Sequence, residues 1–466
     1  MNPLKPLVIS GREVLPLVEG GKGISVSNGE SSGAWAASGG VGTFSGVNAD
    51  SYDEHGNLIP QNYRGRTRRE RHEELVDFAV RGGIHQARIA YEQSNGLGRI
   101  HMNVLWEMAA SERVLHGVLE GAKGLINGVT CGAGMPYKIA EICANYGVYY
   151  YPIVSSARAF RALWKRAYHK FRDWLGGVVY EDPWLAGGHN GLTNSEDPTK
   201  PEQPRPRVIE LRRFMREECG LGETPIFMAG GVWYLREWWD WLDNPDIGPI
   251  AFQFGTRPLL TEESPISPAW KQRLLTLDEG DIFLNRFSPT GFYSSAVSNP
   301  FVKELRDRSE RQVAYSSTPV GEHEWPFPVG ARGRTVYLTA ADKLRASDWV
   351  ARGYTEALRT PDSTLAFVTP EKANEILTDQ INCMGCLSAC LFSNWAQNEQ
   401  GTTGKKADPR SYCIQKTLQK ISHSNDTENQ LMFAGHNAYR FRDDPFYANG
   451  FIPTVKQLVE RIQTGD

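Results

Sequence analysis

Four cysteines near the carboxyl end of the chain have the spacing of a metal-binding motif. Cys383, Cys386 and Cys390 fall within one short segment, and Cys413 follows further along the chain. A [4Fe-4S] cluster is bound in this way when one loop offers three thiolates and another segment supplies the fourth. Structural zinc more often uses two separated cysteine pairs. The spacing therefore predicts a [4Fe-4S] site, with zinc and plain buried thiols as the alternatives.

A histidine flanked by glycines is the best candidate for proton transfer. His189 follows Gly187 and Gly188, and Asn190 and Gly191 come after it. Imidazole titrates near neutral pH, and glycine neighbours leave it on an accessible loop. A single histidine is more often structural, but its position after a predicted strand favours a catalytic role.

Eight predicted strands provide the frame for these residues. From residue 15 to about residue 260, short β-branched or aromatic runs alternate with stretches of helical period, which is the pattern of βα units around a parallel sheet. The runs are 15–21, 41–46, 99–106, 124–134, 148–156, 176–182, 224–231 and 250–256. Eight such repeats close most simply into a TIM (β/α)8 barrel.

Nearly every predicted strand ends in a glycine or a polar residue. Barrels of this kind carry their active-site groups at the carboxyl ends of the strands, so these residues would meet at one rim. For any single glycine, merely ending a strand is the alternative. The candidate ligand-binding residues are Gly20, Gly21, Asn103, Cys131, Gly132, Ala133, Gly134, Ser155, Glu181, Gly187, Gly188, Ala229, Gly230, Gly231, Phe254, Gly255 and Thr256.

The glycines after the seventh and eighth strands predict an anion site. Residues 229–231 and 254–256 place main-chain amides where many barrels bind a phosphate group. The spacing fits a phosphorylated substrate and FMN equally well.

The regular rhythm stops at about residue 260. Residues 1–260 are predicted to form the barrel, and residues 261–430, with scattered prolines and few clean strands, a mostly helical or irregular region that contains the cysteines. Residues 431–466 are predicted to return to the barrel. An amphipathic helix in this tail is indicated by Val455, Leu458, Val459 and Ile462.

Charge and composition exclude several classes of protein. The 466 residues include 51 Lys and Arg against 54 Asp and Glu, a formal charge of −3, which favours neither nucleic acid nor a membrane surface. No apolar run reaches the roughly 18 residues of a membrane span, and the first residues lack the apolar stretch of a secretory signal. The number of cysteines, 7, is odd, and four of them lie close together, which suits a reducing compartment better than a set of disulfides. The sequence therefore predicts a cytoplasmic protein.

Two further segments leave alternatives open. The basic cluster at 64–71 is either a solvated helix start or a site for a phosphate-bearing substrate. The proline-rich segment 194–207 is either a solvated connector or a lid over the rim.

In their order along the chain, these motifs resemble the nitronate monooxygenase (2-nitropropane dioxygenase) family, which includes FMN-dependent enoyl reductases of fatty-acid synthesis. The resemblance covers about residues 14–265 and resumes near 431–463. The motifs that carry it are Gly20-Gly21, Gly39-Gly40-Val41-Gly42, Asn103, Gly132-Ala133-Gly134-x-Pro136, Gly187-Gly188-His189, Ala229-Gly230-Gly231 and Gly255-Thr256-Arg257.

This resemblance implies a TIM barrel with non-covalent FMN. It places Gly230, Gly231, Gly255 and Thr256 at the phosphate, Asn103 and Ser155 near the ribityl chain or ring, and Gly132 to Gly134 beside the ring. His189 matches the family's active-site histidine. It would position a nitronate or remove the α-proton of a nitroalkane, and in an enoyl reductase it would orient the carbonyl.

Two departures from the family affect the substrate side of the flavin. Leu185 and Ala186 stand where an acidic residue usually precedes the Gly-Gly-His motif, and Lys22 stands where methionine usually follows the first glycines. The cysteine segment also resembles the cluster loop of 2,4-dienoyl reductases and trimethylamine dehydrogenase, although Cys413 comes later than their fourth cysteine.

The leading hypothesis is oxidation of nitronates or nitroalkanes with O2 to a carbonyl compound and nitrite. The alternative is an FMN and iron-sulfur reductase of an activated C=C bond, such as an enoyl thioester, fed by NAD(P)H or by an electron carrier. No G-x-G-x-x-G unit is present, so a nicotinamide would dock transiently. A homodimer is left open. The alternative of another class is a non-catalytic barrel scaffold whose partner surface could include Trp233, Trp238, Trp239 and Trp241.

Overall fold

A computed structural model describes residues 4–330 and 333–465 of the chain. Its amino-terminal half contains strands β1 (Leu7–Ile9), β2 (Arg12–Val14), β3 (Leu17–Glu19), β4 (Val41–Ser45), β5 (Arg99–Leu105), β6 (Gly128–Gly132), β7 (Tyr149–Val154), β8 (Val178–Glu181), β9 (Gly188–His189), β10 (Ile226–Ala229) and β11 (Ile250–Phe254). Eight of them, β3 to β8 with β10 and β11, close into a parallel barrel. The predicted TIM barrel and its eight strands are confirmed.

Helices cover the outside of the barrel between its strands. They are α1 (Gly29–Ala37), α2 (Arg68–Gln93), α3 (Ser111–Gly121), α4 (Ile139–Tyr146), α5 (Ala157–Arg166) and α6 (Pro204–Glu217), with 3-10 turns at Tyr168–Trp174, Leu235–Trp241 and Arg257–Leu259. Helix α3 begins at Ser111 and α4 at Ile139, in stretches of helical period between predicted strands. Trp233, Trp238 and Trp241 are buried among these elements and Trp239 is exposed, so packing explains three of the four tryptophans.

The barrel interior is filled and closed at the amino ends of its strands. Val18, Val41, Tyr151, Val179 and Phe227 belong to one buried apolar cluster inside the barrel. The β1-β2 hairpin caps this end, where the Ser10 hydroxyl lies 2.7 Å from the Tyr151 hydroxyl. Among residues 4–330 and 333–465 this end is plugged, so a ligand finds room at the carboxyl ends of the strands.

The region after the barrel contains more β-structure than the sequence predicted. Its strands are β12 (Ile282–Asn285), β13 (Ser294–Val297), β14 (Gln312–Ala314), β15 (Trp325–Val329), β16 (Arg334–Leu338), β17 (Glu356–Arg359), β18 (Thr364–Val368), β19 (Ala389–Cys390) and β20 (Trp395–Ala396). They are short, and a strand of two to five residues shows too little alternation to be recognised from its sequence.

Helices connect these strands and lead back to the barrel. They are α7 (Pro268–Leu274), α8 (Pro300–Glu310), α9 (Ala340–Ala351), α10 (Pro370–Ile381), α11 (Ile414–Gln419), α12 (Arg440–Asp443) and α13 (Val455–Gln463), with 3-10 turns at Lys420–Ser422, His436–Tyr439 and Pro445–Gly450. The predicted tail helix is confirmed as α13, whose four apolar residues are buried and which contacts α1.

Two parts of this region bear on the site. The three-stranded sheet β12-β13-β9 places Ser294 of β13 opposite His189 of β9. Strands β14 to β18 and α9 surround a separate apolar cluster that includes Val313, Val336 and Phe367. No helix among residues 4–330 and 333–465 is long and apolar enough to cross a membrane.

Candidate active site at the carboxyl end of the barrel

A cavity of about 1190 Å³ opens at the carboxyl ends of the barrel strands. Sites for drug-sized ligands measure roughly 300–1,000 Å³, so this cavity has room for a cofactor together with a small substrate. His189 and fifteen of the candidate ligand-binding residues line it, the fifteen being Gly20, Gly21, Asn103, Gly132, Ala133, Gly134, Ser155, Glu181, Gly187, Gly188, Ala229, Gly230, Gly231, Gly255 and Thr256.

Two of the candidate ligand-binding residues, Cys131 and Phe254, do not line the cavity, which corrects the sequence interpretation. Cys131 is fully buried among the helix-layer residues, and the Phe254 ring lies 6.2 Å from the Trp35 ring of α1. Successive side chains of a strand point to opposite faces, so residues beside a cavity-lining position can face the helices instead.

The glycines after β10 and β11 form a cradle of main-chain amides. Gly230 and Gly231 have φ values of 84° and 80°, in the left-handed region that favours glycine. Among the described residues, no protein group accepts a hydrogen bond from the amides of Gly230, Gly231 or Gly255. A Cβ at Gly255 would meet nothing within 4 Å. The cradle therefore offers unpaired N–H groups to an anion.

Close packing fixes a polar amide on the opposite wall. A Cβ at Gly21 would lie 2.2 Å from the Asn103 Cβ, so only glycine allows Asn103 to occupy this place. The Thr130 hydroxyl donates to the Asn103 Oδ1 at 3.0 Å, which orients the Asn103 amide. The Ser155 hydroxyl donates to the Gly191 carbonyl at 3.0 Å and ties the histidine loop to the end of β7.

His189 is held by residues from outside the barrel. Its Nε2 lies 2.7 Å from the Ser288 hydroxyl, which lies 2.8 Å from the Thr290 hydroxyl. Its ring packs edge-on against Phe433, with 5.5 Å between centroids. Burial lowers the pKa of His189 to about 4. The imidazole is therefore neutral at pH 7.

Both acidic and basic side chains line the same cavity. Burial, with a smaller effect from Asp182, raises the pKa of Glu181 to about 8, so this carboxyl keeps its proton at neutral pH. The Lys22 Nζ donates to the Gly20 carbonyl at 2.7 Å and lies 3.6 Å from the Glu19 carboxylate. Burial lowers the pKa of Lys22, and Glu19 opposes that effect. Arg158 and Arg286 also line the cavity.

The later part of the chain supplies a wall that no sequence motif indicated. Arg286, Tyr293, Phe433 and Asn437 line the cavity. The Asn437 Nδ2 donates to the Gly231 carbonyl at 2.6 Å, which connects the tail to the amide cradle. These residues come from short irregular segments, so only their tertiary position marks them.

The cysteine loop, residues 383–396, borders the same cavity. Cys383, Cys386 and Cys390 are buried and Cys413 is partly buried. Burial, followed by the neighbouring Cys413, Cys390 and Cys383, raises the pKa of the Cys386 thiol. Cys386 and Leu387 line the cavity. Within the described ranges, no three His, Cys, Asp or Glu side chains form a group that could hold a metal ion. We call Cys383, Cys386, Cys390 and Cys413 the four-cysteine group. Its role as a metal site stays a prediction.

The basic cluster at 64–71 contacts the cysteine loop. Arg71 donates to the carbonyls of Cys383 and Ile381 at 3.0 and 2.8 Å, and Arg68 donates to the Ser393 and Gln380 carbonyls at 2.8 Å each. The helix start is confirmed, because α2 begins at Arg68. Two of its arginines bind the loop's main chain.

The segment 194–207 is a connector up to residue 203 and the first turn of a helix after it. Helix α6 begins at Pro204, and Thr193 and Asn194 line the cavity just before the segment. Arg207 fastens the segment, because it pairs with Glu196 at 2.7 Å and donates to the Ser155 carbonyl at 2.7 Å.

A closed parallel barrel with a glycine-lined cavity at its carboxyl rim defines a TIM-barrel enzyme architecture. The family model for nitronate monooxygenase matches residues 118–465, which is most of the chain. The chain belongs to the nitronate monooxygenase family and is an FMN-dependent oxidoreductase of that group. No curated protein sequence matches it.

Solved structures show the same fold at low sequence identity. FabK from Thermotoga maritima is 15% identical, with a TM-score of 0.50, over 97% of this chain and 92% of that one. The enoyl reductase domain of MlnA, from the macrolactin biosynthesis cluster of Bacillus amyloliquefaciens, is 11% identical, with a TM-score of 0.51, over 97% and 93%. At these identities the likeness establishes the fold alone.

Proposed function

We propose that this enzyme binds FMN in the barrel cavity and oxidises nitronate anions with O2 to a carbonyl compound and nitrite. FMN, when bound, accepts electrons from the substrate and passes them to O2. The observation that carries the choice of substrate is the state of His189, a neutral imidazole in a cavity that also holds cationic side chains.

The cavity residues fit FMN. The unpaired amides of Gly230, Gly231 and Gly255 suit the phosphate, since main-chain N–H groups stabilise an anion without any side chain. The open space beside Gly255 leaves room for the phosphate oxygens. Asn103, oriented by Thr130, can hydrogen-bond the polar edge of a ring or a ribityl hydroxyl.

The pKa of His189 decides which substrate form is used. A nitroalkane must lose its α-proton before oxidation, and an imidazole with a pKa of about 4 is too weak a base to take that proton at a useful rate. A nitronate has already lost it. His189 therefore acts as a hydrogen-bonding group that orients the nitronate, and Ser288 fixes the ring. Arg158 and Arg286 give the cavity positive charge for the anion, whereas the Lys22 ammonium is already paired with Glu19.

A second candidate function rests on Glu181. Its carboxyl lines the cavity and keeps its proton at neutral pH. Reduction of an activated C=C bond requires a hydride at one carbon and a proton at the other, and Glu181 could donate that proton. NAD(P)H would supply the hydride through the flavin.

Anaerobic flavin reduction separates the two candidates. We expect ethyl nitronate to bleach the flavin of the FMN-loaded enzyme without any nicotinamide, and neutral nitroethane to do so far more slowly. His189→Ala should lower the rate with nitronate by about tenfold or more, which is the value of one lost hydrogen bond to a charged group. His436→Ala is the matched control, since His436 hydrogen-bonds Ser295 but does not line the cavity.

Two results would contradict nitronate oxidation. If neutral nitroethane reduced the flavin as fast as the nitronate, His189 would have to be a working base. If nitronate left the flavin oxidised while NADH or NADPH reduced it and an enoyl thioester reoxidised it, the enzyme would be the reductase.

A further inference from the structure

We infer that the four-cysteine group holds a [4Fe-4S] cluster in the wall of the barrel cavity. This inference goes beyond the proposed function, because it concerns a second site and stands whichever reaction the cavity catalyses.

The tertiary structure brings the fourth cysteine to the other three. Cys413 precedes α11 and lies far along the chain from the cysteine loop. Helix α11 nevertheless lies beside that loop, because its Lys416 pairs with Asp379 of α10 at 2.9 Å and Ile414 lines the cavity together with Cys386. The two segments that carry the four cysteines thus meet at one wall of the cavity, as a cluster with four cysteine ligands requires.

Two hydrogen-bond donors point at the sulfur of Cys383. The Gly385 amide donates to the Cys383 Sγ at 3.3 Å, and the Ser393 hydroxyl donates to the same atom at 3.1 Å. Donors of this kind stabilise a thiolate bound to metal and tune the metal it holds.

Two arginines of α2 lie against the loop. The guanidinium groups of Arg68 and Arg71 lie 2.8 to 3.0 Å from four main-chain carbonyl oxygens. Two of these belong to the loop, at Cys383 and Ser393, and two to the residues just before it, Gln380 and Ile381. A cluster with four thiolate ligands carries net negative charge, so two adjacent cations lower the cost of burying it. This explains why two arginines of α2 contact this loop.

A cluster and a single zinc ion require different arrangements of the four thiols. Zinc binds four thiolates at about 2.3 Å, which requires all four sulfurs to meet around one point. Among residues 4–330 and 333–465, no group of side chains is closed in that way. In a cluster each of four irons takes one thiolate, so the sulfurs stand further apart around a larger body.

The position of the site connects it to the cavity. Cys386 and Leu387 line the cavity, and the Cys386 carbonyl accepts a hydrogen bond from the Ala109 amide at 3.0 Å. The Ser388 hydroxyl donates to the carboxylate of Glu107, which also lines the cavity, at 2.9 Å. A cluster here would share one wall with any group bound in the barrel.

The test measures iron, acid-labile sulfide and zinc in the full chain purified without oxygen. We expect about four iron and four sulfide per chain, and an electron paramagnetic resonance signal once dithionite adds one electron to the cluster. Cys390→Ser, which does not alter a cavity-lining residue, should lose the iron, the sulfide and the signal. Cys219→Ser is the matched control, because Cys219 is a buried free cysteine elsewhere in the protein.

Flavin content and circular dichroism report whether each variant folds. If Cys390→Ser does not fold, Cys413→Ser at the partly buried position takes its place. One zinc without sulfide, or no iron after anaerobic reconstitution with iron and sulfide, would overturn the inference, as would an unchanged signal in a folded variant. Because FMN binding is measured separately, failure of the cluster and failure of the flavin proposal are distinguishable.

Discussion

Replacing Gly255 by alanine tests the amide cradle with little disturbance of the fold. Gly255 lines the cavity, its φ lies outside the left-handed region, and a Cβ there would meet nothing within 4 Å. The added methyl group therefore costs the protein neither backbone strain nor a clash. It occupies space beside amides that the proposal assigns to the FMN phosphate, and it would push the phosphate away from them.

The expected loss follows from the hydrogen bonds affected. A hydrogen bond to a charged group contributes about 1.5–3 kcal/mol, so losing one raises the Kd for FMN by roughly 10- to 150-fold. The assay titrates the apoprotein with FMN by fluorescence quenching and records its thermal unfolding without FMN. We expect a weaker Kd and an unchanged Tm. An unchanged Kd in a folded variant would refute the assignment of this cradle to the phosphate.

Gly231→Ala provides a contrast within the same cradle. Its φ of 80° and a Cβ only 2.6 Å from the Leu185 Cδ1 make alanine strained there. Strain of this kind costs about 1–2 kcal/mol, so the Tm of the apoprotein should fall along with FMN affinity. Gly353→Ala shares the positive φ, at 96°, but meets open space away from the cavity. It should lower Tm and leave the Kd for FMN unchanged.

Three further outcomes are expected. Glu181 keeps its proton in the folded protein up to pH about 8 but releases it near pH ~4.3 when unfolded, so the free energy of unfolding should fall as pH rises between these values. Urea unfolding at several pH values should show a smaller fall for Glu181→Gln. An equal fall in the two proteins would contradict the raised pKa. If the enzyme is the reductase, its rate should fall above pH about 8, and Glu181→Gln should remove that step. Arg71→Leu should lower the free energy of unfolding by about 2 kcal/mol, since it loses charged hydrogen bonds to the cysteine loop. The exposed pair of Arg81 with Asp77 is worth at most ~0.5 kcal/mol, so Arg81→Leu is the control. Equal losses for the two variants in urea unfolding would show that the Arg71 contacts do not stabilise the fold.

The barrel and much of its rim could be predicted from local sequence. Each barrel strand is an apolar run bounded by turn residues, and the order of eight such runs leaves few topologies. Since parallel strands of a barrel end at the same rim, the residues that follow them meet without any further information. This is why Gly230, Gly255 and His189 could be placed at one cavity although they are distant in sequence.

Properties that depend on residues distant in sequence could be determined only from the tertiary structure. The side of the strand on which the Cys131 side chain lies could not be predicted, because the twist and packing of the barrel decide which side meets the helices. The low pKa of His189 arises from burial beneath segments about a hundred or more residues later, including Ser288 and Phe433. The chain carries the local periodicities that specify strands and helices, whereas desolvation, convergence of separate segments and cavity shape arise only when those elements pack against one another.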